Sequence, residues 1–290
     1  MRRALQLLIV LVLFLTPSAA SISPAIGGSR DQAQPEPVVG TVYVFRPMGG
    51  RIATAEMDKI ASKLKARGIA AEVHNYTDWL RPANAAIARY KKESWKSAII
   101  AIGHSAGGDS TLRFATWLRR SGVPVNLIIT LDPTRIARPV PSNVQRFINI
   151  YSSDNTLGGG DPKPARDFKG HFASVDLKNY PGEWHLYLPN TLGLQDAVID
   201  KILSEAEQPE PVKDGGVRIA YAMPRGVPIV LYDSGVVVAA EAGETPAGIA
   251  ARYGVPAWAV SAVNNIEPDR GLPAGQRIVV PHNLDSPPAQ

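Results

Sequence analysis

The stretch Ser97-Ala98-Ile99-Ile100-Ala101-Ile102-Gly103-His104-Ser105-Ala106-Gly107-Gly108 decides the fold. A short apolar run stops at Gly-His-Ser-Ala-Gly, and an amphipathic segment follows at once, with Leu112, Ala115 and Leu118 on one helical face. An apolar run bounded by glycine reads as a buried strand, and apolar residues three or four apart read as a helix. The stretch is therefore a strand, a sharp turn and a helix, with Ser105 at the corner. Gly103 and Gly107 stand two residues to either side of it, where such a turn leaves no room for a Cβ. A serine held there projects its hydroxyl above the sheet, which makes Ser105 a candidate nucleophile.

Working outward, residues 41–45 read as a first strand that ends in Arg46-Pro47-Met48-Gly49-Gly50. Met57, Ile60, Ala61 and Leu64 then recur at helical spacing up to a stop at Gly68. Residues 70–74 read as a second strand and 83–92 as an alanine-rich helix. Beyond the corner helix, 126–131 is a fourth strand running into Asp132-Pro133, and 146–151 a fifth ending near Asp154. Leu194, Val198 and Ile202 mark a closing helix that begins around Asn190. Strands alternating with helices predict an α/β fold with a small, doubly wound, mostly parallel sheet. Residues 205–235, with Pro209 and Pro211 among acids, read as a linker that leaves room for a small hairpin over 218–233.

The 290-residue chain opens with Arg2-Arg3, an apolar run over 4–15 and Thr16-Pro17-Ser18-Ala19-Ala20. This is the pattern of a secretory signal over 1–20, followed by a flexible leader over 21–38. The apolar run is short for a membrane span, so no stable span is expected after cleavage. The expected location is outside the cytoplasm, either periplasmic and envelope-bound or secreted. There is no cysteine, hence no disulfide and no lipid attachment through a thiol. The formal charge of +5 falls to +3 without Arg2 and Arg3. No basic run interleaved with aromatics occurs, so a nucleic-acid partner is not expected, while a mild preference for anionic envelope polymers is compatible with the charge. No metal-ligand spacing, dinucleotide glycine pattern or phosphate-binding loop is present, and neither metal nor cofactor is expected.

The Gly-His-Ser-Ala-Gly corner between strand and helix resembles the nucleophile elbow of the α/β-hydrolase superfamily, over about residues 39–204. In that family the nucleophile is followed in the chain by the acid and then the histidine. Of five histidines, His74 precedes the elbow, His104 lies within it, and His282 lies near the C-terminus. His171 and His185 remain. His185 occupies the loop before the closing helix, where the superfamily places its base, and His171 reads as a solvated loop residue. Asp132 and Asp154 both end strands on the edge that carries Ser105, so strand geometry admits either as the acid, with Asp176 a weaker third. Thr130-Leu131-Asp132-Pro133 resembles the Leu-Asp-Pro of small lipase- and thioesterase-like hydrolases, which favours Asp132. The resemblance also implies an oxyanion hole from the backbone of Ala106 and of Met48 or Gly49. No insertion is long enough for a lid, and Gly158-Gly159-Gly160-Asp161-Pro162 is the one candidate gate.

Residues 236–282 form a separate unit. Thr245-Pro246 is a helix N-cap followed by proline at the first helical position; Ile249, Ala250 and Tyr253 share a face, and Gly254 ends the helix. A second short helix ends near Asn264-Asn265, and 278–280 returns as a strand. The segment resembles a LysM domain, two helices on a two-stranded antiparallel sheet that binds N-acetylglucosamine-containing glycans such as peptidoglycan. The family's groove corresponds to Ala242-Gly243-Glu244-Thr245 and to about 266–272, with Gly243, Glu244, Thr245, Asn265 and Ile266 as glycan-binding candidates. Pro246 stands where the family commonly has leucine. Together the resemblances imply an exported serine esterase or lipase tethered to cell-wall glycan. The alternative is a non-catalytic, peptidoglycan-binding LysM protein with a degenerate hydrolase domain.

Overall fold

The computed structural model describes residues 40–180, 185, 188–190, 193–207 and 216–282. The stretches expected as signal (1–20) and leader (21–38), and residues 208–215 of the expected linker, lie outside the described residues. Strands β1 (Thr41–Phe45), β2 (Ala70–His74), β3 (Ile99–His104), β4 (Val125–Leu131), β5 (Val144–Tyr151), β6 (His171–Asp176) and β7 (Ile219–Ala222) form one sheet in the order β2-β1-β3-β4-β5-β6-β7. Every pairing in it is parallel. Such strands are buried on both faces, which is why β1 and β3 are mostly apolar and buried at every position, Thr41 and His104 included.

Helices α1 (Gly50–Ala66) and α4 (Leu194–Glu207) cover one face. Met57, Ile60 and Leu64 of α1 and Val198, Ile199 and Ile202 of α4 meet Val42, Ile100 and Ile129 of the sheet there. On the other face α2 (Leu80–Lys92) and α3 (Ala106–Arg120) bring Ala83, Ala86, Leu112 and Leu118 against Tyr43, Phe45 and Phe147. The chain leaves β1 toward β2 on one side and returns to β3 on the other. The crevice above the carboxyl ends of β1 and β3 is therefore the sheet's topological switch point, where open α/β sheets bind ligands. Ser105 follows β3 directly.

Two strands exceed the sequence expectation. His171 was expected in a solvated loop, but it opens β6 and is buried. In place of a hairpin over 218–233, Ile219–Ala222 adds β7 to the edge of the main sheet, beyond residue 204. The flanks of β7 still meet, since Val217 bridges antiparallel to Gly235.

The C-terminal unit pairs β8 (Ser234–Ala239) antiparallel with β9 (Arg277–His282) and packs α5 (Pro246–Arg252) and α6 (Ala257–Asn264) on them. Thr245 Oγ1 accepts the Gly248 N–H at 3.1 Å and caps α5, with Pro246 following it. Asn264 ties α6 to β9, donating to the Val279 carbonyl at 2.6 Å and accepting its N–H at 2.8 Å. The unit docks on β7. Trp258 of α6 lies 6.3 Å from the Tyr221 ring, and Ala259 is buried in the same core as β6 and β7.

Candidate active site

Ser105 carries φ 55° and ψ −127° at the head of α3. A non-glycine residue held in that region stores roughly 1–3 kcal/mol of strain. Close packing around the turn holds it. A Cβ on Gly107 would lie 2.3 Å from the Phe45 carbonyl oxygen, and one on Gly103 would lie 2.2 Å from that of Gly107. The end of β1, β3 and the first turn of α3 therefore meet backbone to backbone. The Ser105 N–H donates to the Leu131 carbonyl at 2.9 Å, tying the corner to β4.

Asp132, at the end of β4, is fully buried and also has positive φ, 45°. His185 is brought in from the segment that follows β6. Its Nε2 lies 2.7 Å from Ser105 Oγ, and its Nδ1 lies 2.6 Å from Asp132 Oδ2. Nδ1–H donates to the carboxylate, which leaves Nε2 to accept from the serine hydroxyl. Asp132 accepts three further bonds, from the Gly159 N–H at 2.7 Å, the Ser152 N–H at 3.2 Å and Asn155 Nδ2 at 2.7 Å. Burial pushes the Asp132 carboxyl up, but the bonds from His185, Gly159 and Asn155 outweigh it and hold the group below the usual carboxylate range.

His104 points beneath the corner. Its Nε2 lies 2.7 Å from the His185 carbonyl oxygen, so Nε2 carries the proton and donates. Burial first, and the neighbouring His185 second, push its pKa down to about 4, so it is neutral over the physiological range. His104 thus fixes the backbone of the residue that bridges Ser105 and Asp132.

The structure brings Ser105, His185 and Asp132 together and leaves the other expected candidates apart from them. Asp154 is exposed in the loop after β5. Asp176 ends β6 and accepts from the Ser153 and Lys178 N–H groups at 3.0 Å each. His171 Nδ1 lies 3.8 Å from Asp233 Oδ2. Ala106 is the first residue of α3; Met48 is 66% exposed and Gly49 has φ 122°, both in the loop that arrives beside Gly107 from β1. The candidate gate is buried: Gly158 packs against the Asp132–His185 pair, Gly159 donates to Asp132, and Gly160 lies against Pro133 and Thr134 with its N–H on the Pro133 carbonyl at 2.9 Å. The donors Ser152, Asn155 and Gly159 were not anticipated; the run of three glycines was their one trace in the sequence.

In the C-terminal unit the two expected groove loops lie side by side. The Gly243 N–H donates to the Leu272 carbonyl and the Leu272 N–H to the Glu244 carbonyl, both at 2.8 Å. Gly243 has φ 78° and Asn265 φ 52°, while the Ile266 N–H donates to the Ser261 carbonyl at 3.1 Å. Glu244 is already engaged, by Arg252 and the Glu241 N–H, both at 2.9 Å. Among the described residues no cluster of His, Cys, Asp or Glu is arranged to hold a metal ion, and no helix is long and apolar enough to cross a membrane.

Residues 241–281 match the LysM domain family. Similar solved structures include a proposed hydrolase of the alpha/beta superfamily from Xanthomonas campestris pv. campestris, 14% identical, with a TM-score of 0.38 over 56% of this chain and 96% of that one. Another is Est1E from Butyrivibrio proteoclasticus, also 14% identical, with a TM-score of 0.39 over 61% of this chain and 92% of that one. No curated protein matches the sequence.

Proposed function

We propose that the protein is an exported serine hydrolase of ester bonds, carried to N-acetylglucosamine-containing wall glycan by its LysM domain. The observation that carries the reading is the hydrogen-bonded chain Ser105 Oγ–His185 Nε2 (2.7 Å) and His185 Nδ1–Asp132 Oδ2 (2.6 Å), set at the switch point of the sheet. Ser105 attacks the ester carbonyl while His185 takes its proton; the tetrahedral oxyanion is held by the N–H of Ala106 and by that of Met48 or Gly49. His185 then gives the proton to the leaving alcohol, and the acyl-enzyme is released by a water that His185 deprotonates. Asp132 holds the imidazole in the tautomer that does this and stabilises the imidazolium. Gly243, Glu244, Thr245, Asn265 and Ile266 are assigned to glycan contact in the LysM groove.

The test is hydrolysis of p-nitrophenyl acetate, butyrate and palmitate by the protein and its Ser105→Ala, His185→Ala, Asp132→Ala and Asp154→Ala variants. Turnover abolished by the first three changes and kept by the fourth is the expected result. If no ester turns over and a fluorophosphonate fails to label Ser105, the hydrolase reading is lost.

A further inference from the structure

Beside the corner lies a cleft of about 250 Å³ lined by Tyr76, Thr77, Trp79, Ala106, Ser110 and Arg113 among others. A second, of about 120 Å³, is lined by Trp79, Arg113, Trp117, Arg120 and Arg138 among others. Trp79 and Arg113 line both, so the two are one groove. Its floor is a single stripe of α3, Ala106, Ser110, Arg113, Trp117 and Arg120, opposite the face that Leu112, Ala115 and Leu118 bury. Along a helix axis that stripe carries Arg113 about 10 Å and Arg120 about 20 Å beyond the residue next to Ser105.

The walls are fixed. Ser110 Oγ donates to the Tyr76 carbonyl at 2.6 Å, and Trp117 Nε1 donates to Asn84 at 2.8 Å. The Trp79 and Trp117 rings meet edge to face at 6.3 Å. Charge in the groove is mainly positive. Arg113, Arg120 and Arg138 are exposed, and among the described residues none lies within ion-pair distance of a carboxylate; Arg120 rests on the Trp117 ring at 4.9 Å. By contrast Arg119, one residue from Arg120, pairs with Asp167. The acid in the groove, Asp109, is engaged by the Thr134 N–H at 3.2 Å and hydroxyl at 2.6 Å; burial pushes its carboxyl up, while those bonds and the charge of Arg113 oppose the rise in part.

Half-buried indole and phenol faces suit the C–H faces of sugar rings, and exposed guanidinium groups outside ion-pair distance of a carboxylate suit carboxylates of a ligand. A neutral acyl chain would use the rings and gain nothing from three arginines. We propose that this groove is the extended substrate site for a carboxylate-bearing glycan, the same N-acetylglucosamine-containing polymer the LysM domain is assigned to, which lies along α3 and presents an O-acyl group to Ser105. The inference rests on the hydrolase reading for the identity of the reacting end, but the binding it describes is measured without catalysis.

The experiment titrates full-length Ser105→Ala protein with an N-acetylglucosamine–N-acetylmuramic acid tetrasaccharide, and with the same tetrasaccharide after its carboxylates are converted to amides. A charge-assisted contact per arginine predicts a preference of about tenfold or more for the carboxylated form. The preference should shrink between low and high salt, because the guanidinium groups are exposed. In the Ser105→Ala protein that also carries Arg113→Gln, Arg120→Gln and Arg138→Gln, the two ligands should bind alike. Equal binding of both ligands before the arginines are changed overturns the proposal, as does a preference that survives their loss. Absence of ester hydrolysis by the unaltered protein would leave these binding ratios unchanged, so failure of the hydrolase reading is read separately.

Discussion

Asp132 accepts four hydrogen bonds, from His185, Asn155 and the Ser152 and Gly159 N–H groups, and that number explains why the glycine-rich loop behind it is buried. The tightest point of this arrangement is Gly158. A Cβ there would sit 2.2 Å from Asp132 Oδ2 and 2.5 Å from His185 Nδ1, on the bond that sets the imidazole tautomer. Gly158→Ala should therefore push the two side chains apart while leaving the helices and sheet in place. The expected result is a fall of at least about a hundredfold in kcat for p-nitrophenyl acetate, on the scale of losing an oriented base. Circular dichroism should be unchanged. Near-native kcat in that variant would mean the His185–Asp132 bond is not needed for turnover. Asp132→Asn keeps the shape but favours the wrong tautomer, and a loss on the order of 10⁴ in kcat is expected.

At the scale of elements, the site depends on how closely α3 approaches β1. Gly107→Ala would bring a methyl group to 2.3 Å from the Phe45 carbonyl oxygen and 2.7 Å from that of Arg46. Neither is a flexible side-chain end, so the first turn of α3 must shift. Overpacking of this kind costs about 1–3 kcal/mol, read as a lower urea midpoint at constant slope. Activity should fall further than stability, because the shift moves Ala106, the expected oxyanion donor. The elements that build this corner were legible because apolar runs stop at a turn residue: Ile99–Ile102 in β3, Leu127–Ile129 in β4, and in β5 Phe147, Ile148 and Ile150, despite Gln145, Arg146 and Asn149. β6 was not, because His171, Ser174 and Asp176 interrupt it. Each is buried and supplied with a partner by a distant segment, as when Asn149 and Asp161 meet the Ser174 hydroxyl at 3.3 and 2.7 Å. β7, with four residues, is too short to carry a pattern. The serine, the histidine and both aspartates could be named from their places at strand ends and before the closing helix. Strand geometry alone admitted either aspartate, and it was the resemblance of Leu131-Asp132-Pro133 that favoured Asp132; the loop after β5, which supplies Ser152, Asn155 and Gly159 to its carboxylate, had no comparable signal.

Across the whole molecule, the sheet and the C-terminal unit are joined by a buried ionic cluster that no stretch of sequence reveals. Arg146 of β5 is 1% exposed; it reaches Glu205 of α4 and Asp233, which precedes β8, at 3.3 Å each. Lys201 lies 3.7 Å and His171 3.8 Å from the same Asp233 oxygen. Removing one member of such a cluster strands the others, and Arg146→Met should cost about 3–5 kcal/mol. The pH dependence has a definite sign. Burial pushes the Glu205 carboxyl up to about 7, against the opposing pull of Arg146 and Lys201. Its native form therefore holds a proton that the unfolded chain has already lost between about pH 4.5 and 7. Stability contributed by Glu205 is full below that window and is lost as pH rises through it. Asp233 runs the other way. Burial alone would raise its carboxyl, but the His171 bond, Lys201 and Arg146 hold it well below the carboxylate range, so its contribution is lost only in strong acid. His104, held neutral down to about pH 4, favours the folded state more as pH rises toward 6.5 and partly masks Glu205. The comparison that isolates the effect is urea unfolding of the protein and of Glu205→Gln at pH 5 and pH 7. The stability of the unaltered protein relative to the variant should fall between the two pH values. A difference that stays constant would show that Glu205 is ionised in the folded state throughout, with Arg146 neutralising it.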